Sequence, residues 1–215
     1  MKKTIPIIIA LIIVVAGAAV FLMARNNDDT PTQTTSQGES TNSFNAVSTS
    51  GVSFVATITT TTTDGKTVTG VMESDSKNGA VKYTASTAGA TTTMIYTKDA
   101  FYMCQTADNC IKSSAANASF NPSAYEYSDD KLAQFKSSST KVGTESCPSG
   151  TCDVWNVSSE GYQSKIYLDQ KTKRVSQVVG GTDQATSTIV YDYKDVTVTI
   201  PQNAQEAPSF GAPSN

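Results

Sequence analysis

The chain has 215 residues, 19 acidic against 16 basic side chains and no histidine. Without imidazole there is no Ser-His-Asp or Cys-His catalysis and no histidine-ligated metal. Setting aside Lys2, Lys3 and Arg25 leaves 13 basic residues against 19 acidic ones, a net of −6, and a surface of that sign argues against nucleic acid as a partner.

The first element is the uncharged run at residues 5–24, which Ile5 opens and Ala24 closes. At about 1.5 Å per helical residue it reaches roughly 30 Å, the depth of a bilayer core. Lys2 and Lys3 precede it, so the run predicts a single-pass signal anchor with its N-terminus inside and the rest of the chain extracytoplasmic. The rival is a cleaved signal peptide ending at Ala16-Gly17-Ala18. Cleavage there would leave an apolar new terminus. A lipoprotein signal needs a cysteine just after the run, and the first is Cys104. The domain reading is therefore an anchor over residues 1–25, a linker over 26–43, a β domain over 44–202 and a disordered tail over 203–215. The linker has no aliphatic or aromatic side chain and cannot bury a core.

The domain is read as mainly β. Val52, Phe54, Ala56 and Ile58 fall on one face, with Ser53, Thr57 and Thr59 on the other apart from Val55. Asp64-Gly65 and Asn78-Gly79 predict two-residue turns with both residues at positive φ. Together they mark strands at 66–74 and 80–86, followed by strands at 91–97 and 100–104. Residues 105–138 break the alternation. Within them Ser128 caps a short helix, Asp129 and Asp130 occupy its first turn, and Leu132 and Phe135 face the sheet. Strands resume at 140–147, 152–158, 162–169, 173–179, 184–193 and 196–201, with a break at Gly180-Gly181. The sum is an antiparallel meander of about eleven strands. A sheet that long must curl or be covered, which gives a concave face with the helix as its lid.

Cys104 and Cys110 enclose five residues, and Cys147 and Cys152 enclose four. On the oxidising side of a membrane these read as two local disulfides. The rival, a four-cysteine zinc site, wants two to four residues between paired ligands, which only the second pair meets. No cofactor is expected.

Candidate chemistry is sparse. Ser74/Lys77 and Ser128/Lys131 both spell Ser-x-x-Lys, a spacing a serine nucleophile with a lysine base could use. Glu73/Asp75 and Asp129/Asp130 are paired carboxylates whose ordinary readings are a solvated strand edge and helix N-terminal charge. In a serine-rich chain these pairings arise by chance, so the expectation is no enzyme. Six strand aromatics, Tyr83, Tyr96, Tyr102, Trp155, Tyr167 and Tyr191, are candidates for a ligand face. Their ordinary reading is sheet packing; the functional one is an aromatic-lined groove for an apolar ligand.

Three stretches add a resemblance. TSTIVYDYKDVTVTIP, IYLDQKTKRVSQVV and IYTKDAFYMC resemble the hairpins of the LolA-like outer-membrane lipoprotein carrier superfamily. The resemblance implies a bacterial cell-envelope protein with an unclosed half-barrel and a lidded apolar cavity that binds acyl chains. The expected function is thus a membrane-anchored, non-catalytic domain that binds a lipid or other apolar ligand. An envelope protein is a further candidate partner. The alternative is a structural or adhesion module of the envelope with a filled core.

Overall fold

The computed structural model describes residues 43–87, 90–106, 109–115, 122–159 and 162–207. The expected anchor, most of the linker and residues 208–215 of the tail lie outside them. Among the described residues no helix is long and apolar enough to cross a membrane.

Among the described residues twelve strands form one sheet. In chain order they are β1 (Phe54–Thr62), β2 (Thr67–Asp75), β3 (Ala80–Thr87), β4 (Ala90–Tyr96), β5 (Ala100–Thr106), β6 (Asn109–Ser114), β7 (Ser139–Cys147), β8 (Gly150–Ser159), β9 (Tyr162–Asp169), β10 (Val175–Thr182), β11 (Ala185–Asp192) and β12 (Gln205–Glu206). A 3-10 turn (Pro122–Tyr125) and one helix, α1 (Asp129–Ser138), stand between β6 and β7. The spatial order is β12-β6-β5-β4-β3-β2-β1-β11-β10-β9-β8-β7. Two meanders are thus joined by β1 against β11. Every pair is antiparallel except β12 with β6. The mainly β, open sheet with one short helix is the expected class, consistent with a half-barrel.

The register sorts side chains by parity. On β1, Phe54, Ala56, Ile58 and Thr60 are buried while Thr57 and Thr61 face solvent. The buried parity joins one large core with Phe44, Tyr125, Tyr127 and Leu132, contributed from outside the sheet. We call this the inner face. Helix α1 forms as expected: Ser128 accepts a hydrogen bond from Lys131 N at 3.3 Å, two acids occupy the first turn, and Leu132 is buried.

Four expectations are corrected. First, β6 is a strand inside the stretch read as loop, held opposite β5 with Cys104 facing Cys110. Second, residues 196–201 are not a strand. β11 already has β10 on one side and β1 on the other, so a hairpin after it has no free edge to join. The chain instead crosses the outer face, and Gln205–Glu206 then pairs with Ile111 and Lys112. Third, Gly180 and Gly181 do not break the strand but pair with Ser187 and Thr186. A methyl on Gly181 would lie 2.4 Å from the Ala185 carbonyl oxygen, so glycine serves close approach there, not a turn. Fourth, the loops after β1 and β2 span four residues each, and only Gly65 and Gly79, not Asp64 or Asn78, adopt positive φ.

Candidate functional site

A single register row crosses the inner face. Tyr191 of β11 stands opposite Ala56 of β1, and Ala56 opposite Met72 of β2. Tyr83, Met94, Met103 and Ile111 continue the row through β3, β4, β5 and β6. All seven side chains are apolar or aromatic. At the usual spacing of about 4.8 Å between strands the row spans roughly 29 Å. Its exposure is graded: Ala56, Met72 and Tyr83 are at most 1% exposed, Met94 7%, Met103 37% and Ile111 47%. One end of the inner face is therefore sealed and the other presents apolar side chains to solvent.

The sealed end is roofed by aromatic rings. Phe44 sits edge-on to Trp155 at 5.4 Å and to Phe135 of α1 at 6.1 Å. Phe135 neighbours Tyr127, and Tyr127 meets Tyr191 at 5.7 Å. Tyr191 in turn contacts Phe54 and stacks on Tyr193. Offset and edge contacts of this kind add to the area the rings bury. The roof is tied down at few polar points. Thr49 N donates to the Tyr127 carbonyl and Tyr127 N to Thr49 Oγ1, each at 2.9 Å. Tyr191 and Tyr193 hydroxyls donate to the carbonyls of Tyr125 and Val175. Beneath it, Trp155 Nε1 is buried with no hydrogen-bond partner among the described residues.

Burial sets the electrostatics. The hydroxyls of Tyr83, Tyr125, Tyr127 and Tyr191 are held above the ordinary tyrosine value by loss of solvent. Lys131, under the roof, is pushed down to about 8 by burial, against the opposing pull of Glu126. Its amine donates to the carbonyls of Ala124 at 2.6 Å and Glu126 at 3.1 Å, and lies over the Tyr127 ring.

Of the six aromatics read from the sequence, the structure brings Tyr83, Tyr96, Trp155 and Tyr191 together in the inner core. Tyr102 and Tyr167 face the other side. Tyr102 packs with Ile95, Val198 and the Cys104–Cys110 pair. Tyr167 packs with Cys152 and Val154, and its hydroxyl donates to Glu145 at 3.1 Å. Sequence reading missed Met94, Met103 and Ile111. Their register could have been traced from the Cys104–Cys110 pair, since a local disulfide between two strand segments sets a hairpin.

Both disulfides are present as expected, Cys104–Cys110 and Cys147–Cys152. The Ser-x-x-Lys pairs have structural roles here. Ser128 caps α1 while the Lys131 amine turns to carbonyls. Lys77 pairs with Asp195 at 3.1 Å. Among the described residues no group of three or more acids or cysteines could hold a metal ion.

No protein-family model matches the sequence, and no curated protein matches it. Solved structures do match. LprF from Mycobacterium bovis is 14% identical, with a TM-score of 0.49 over 73% of this chain and 91% of its own. The lipoprotein LppX of Mycobacterium tuberculosis is 11% identical, with a TM-score of 0.46 over 67% and 89%. A LolA superfamily protein from Nitrosomonas europaea is 11% identical, with a TM-score of 0.28 over 69% and 87%. Overlaps this loose do not assign a function.

Proposed function

We propose that this chain is a membrane-anchored, extracytoplasmic, non-catalytic domain that holds a lipid or other apolar ligand on the inner face of its open sheet. The ligand enters at the β4–β6 end. The observation that carries this reading is the graded apolar row from Tyr191 to Ile111, continuous in chemistry and exposed at one end. Methionines at three of its seven positions suit a ligand of variable shape, because their unbranched side chains repack at low cost. The charge-free run at residues 5–24, the lysines before it and two disulfides support an anchored domain on the oxidising side.

The test is lipid extraction from the domain purified after export, with and without Ile111→Glu and Met103→Glu. A charge at either position must be desolvated when an apolar chain lies over it. Retention of lipid by the wild type and its loss from both variants, at unchanged stability, supports the reading. Equal lipid content in all three contradicts it.

A second reading has its own observation. The ring chain from Trp155 to Tyr193 already fills the other half of the inner face. A structural module of the envelope needs only that filled core. It predicts a lipid-free protein whose stability is unaffected by apolar additives.

A further inference from the structure

After β11 the chain forms a strap of about a dozen residues that crosses the outer face from the end of β11 to β6. Its apolar side chains Val196, Val198, Ile200 and Ala204 lie on a cluster built from Ala80, Ile95, Ala100, Tyr102 and the Cys104–Cys110 disulfide. The two sulfur-bearing residues are 4% and 3% exposed. The strap forms no hairpin with β11. Its buried polar attachment among the described residues is to Asp75, itself 1% exposed, at the end of β2. One carboxylate oxygen of Asp75 accepts from Asn78 N at 3.1 Å; the other accepts from Asn78 Nδ2 at 2.7 Å and from Val198 N at 3.1 Å. Further ties are the exposed pairs Lys77–Asp195 and Lys112–Glu206, the two-residue pairing of β12 with the bond from Ala207 N to the Lys112 carbonyl, and, where the strap leaves β11, the Tyr193 hydroxyl on the Val175 carbonyl.

We propose that the strap is a releasable guard over the Cys104–Cys110 disulfide, with Asp75 as its catch. The inference is independent of the ligand reading. A carboxylate bound to backbone N–H forms a stronger bond than a neutral acceptor, and here that bond joins the strap to a turn of the sheet. Ordered local release of a segment with few buried contacts is a common opening mode of folded proteins. When the strap lifts, the sulfurs of Cys104 and Cys110 meet solvent. A dithiol reductant then attacks one sulfur as thiolate and displaces the other as a cysteine thiolate. Its second thiol resolves the mixed disulfide. Two electrons pass to the protein, both cysteines end as thiols, and the reductant leaves as a cyclic disulfide. The second disulfide supplies an internal comparison: Cys152 is buried, but Cys147 is part-exposed in the β7–β8 turn, and among the described residues no strap lies over it.

The experiment is timed reduction of the full-length oxidised protein in detergent by dithiothreitol, with alkylation and mass-spectrometric readout of each pair. In the wild type, Cys147–Cys152 is reduced well before Cys104–Cys110. Val198→Pro removes the N–H that Asp75 accepts and leaves Asp75 and its turn intact. It should speed reduction of Cys104–Cys110 at least about tenfold, from loss of one charge-assisted hydrogen bond together with the valine packing on the cluster, with no change at Cys147–Cys152. Asp75→Asn should act in the same direction. Equal wild-type rates for the two pairs would overturn the proposal. So would an unchanged Cys104–Cys110 rate in Val198→Pro, or a rise at both pairs together, which would make the strap part of the global fold and not a separate catch.

Discussion

The Tyr83 hydroxyl occupies the space that a side chain on Gly70 would need. A methyl built on Gly70 would lie 2.4 Å from the hydroxyl oxygen and under 3 Å from two ring carbons. Gly70 belongs to β2 and Tyr83 to β3, and the ring lies across the glycine between Ile58 and Ala85, its register neighbours. A strand interior normally disfavours glycine; here the missing side chain lets a buried aromatic lie flat in the middle of the inner face.

Gly70→Ala should therefore destabilise the domain by about 1–3 kcal/mol, the usual cost of overpacking. Most of that loss should vanish in a Tyr83→Ala background, where the methyl meets no ring. Urea denaturation of the two single variants and the double variant gives the coupling directly. Additive losses would mean that the ring moves aside freely.

Phe44 is the keystone of the ring roof, 2% exposed between Trp155 and Phe135. Phe44→Ala should cost about 3–5 kcal/mol if the roof stays closed over the gap. It should also shift the emission of Trp155, the single tryptophan of the chain, to the red as water reaches it. An unshifted spectrum would show that α1 collapses into the space.

Stability should rise and then fall with pH in the alkaline range. The folded Lys131 titrates at about 8 against an ordinary 10.5. Between these values the unfolded chain holds a proton that the folded one does not, so stability increases as pH rises through this window. The buried hydroxyls of Tyr83, Tyr96, Tyr125, Tyr127, Tyr191 and Tyr193 are shifted upward. Their contribution is complete below the ordinary tyrosine value of about 10 and is lost as pH climbs past it. The two effects cross at about pH 9. Urea midpoints from pH 7 to 11 should show that maximum, and Lys131→Met should remove the rising limb and keep the fall.

Replacing Cys147 and Cys152 by serine should cost about 2 kcal/mol, the loop-closure value for so short a ring. The circular-dichroism spectrum of the sheet should stay unchanged, since Cys147 and Cys152 are held at the β7–β8 turn by strand pairing as well. Thermal melts check both halves of the statement.

The sheet was legible because alternation and Gly-bearing turns are local signals. Helix α1 was legible for the same reason, through Ser128, Asp129 and Asp130 at its start. What local signals could not supply was which strand has a free edge. Residues 196–200 alternate like a strand, yet β11 is flanked on both sides, so Val196, Val198 and Ile200 became a strap. Likewise β6, with the polar sequence NCIKSS, reads as loop until the cysteine pair fixes its register. The site was half legible. Four of six aromatics lie on one face, but parity alone separates Tyr102 from Phe101 and Tyr167 from Ile166, and parity needs the register. At the exposed end of the row, Met103 lay on a strand that was read, but Ile111 lay on the strand that was missed.

The central claim is that the inner face takes an apolar ligand from the end marked by Ile111. Native mass spectrometry of the exported, oxidised domain, before and after incubation with envelope lipids, tests it most directly. The account predicts a lipid adduct of defined stoichiometry in the wild type that Ile111→Glu abolishes. A wild-type protein that stays at its bare mass after incubation would contradict it, and would leave the filled ring core as the better description of the inner face.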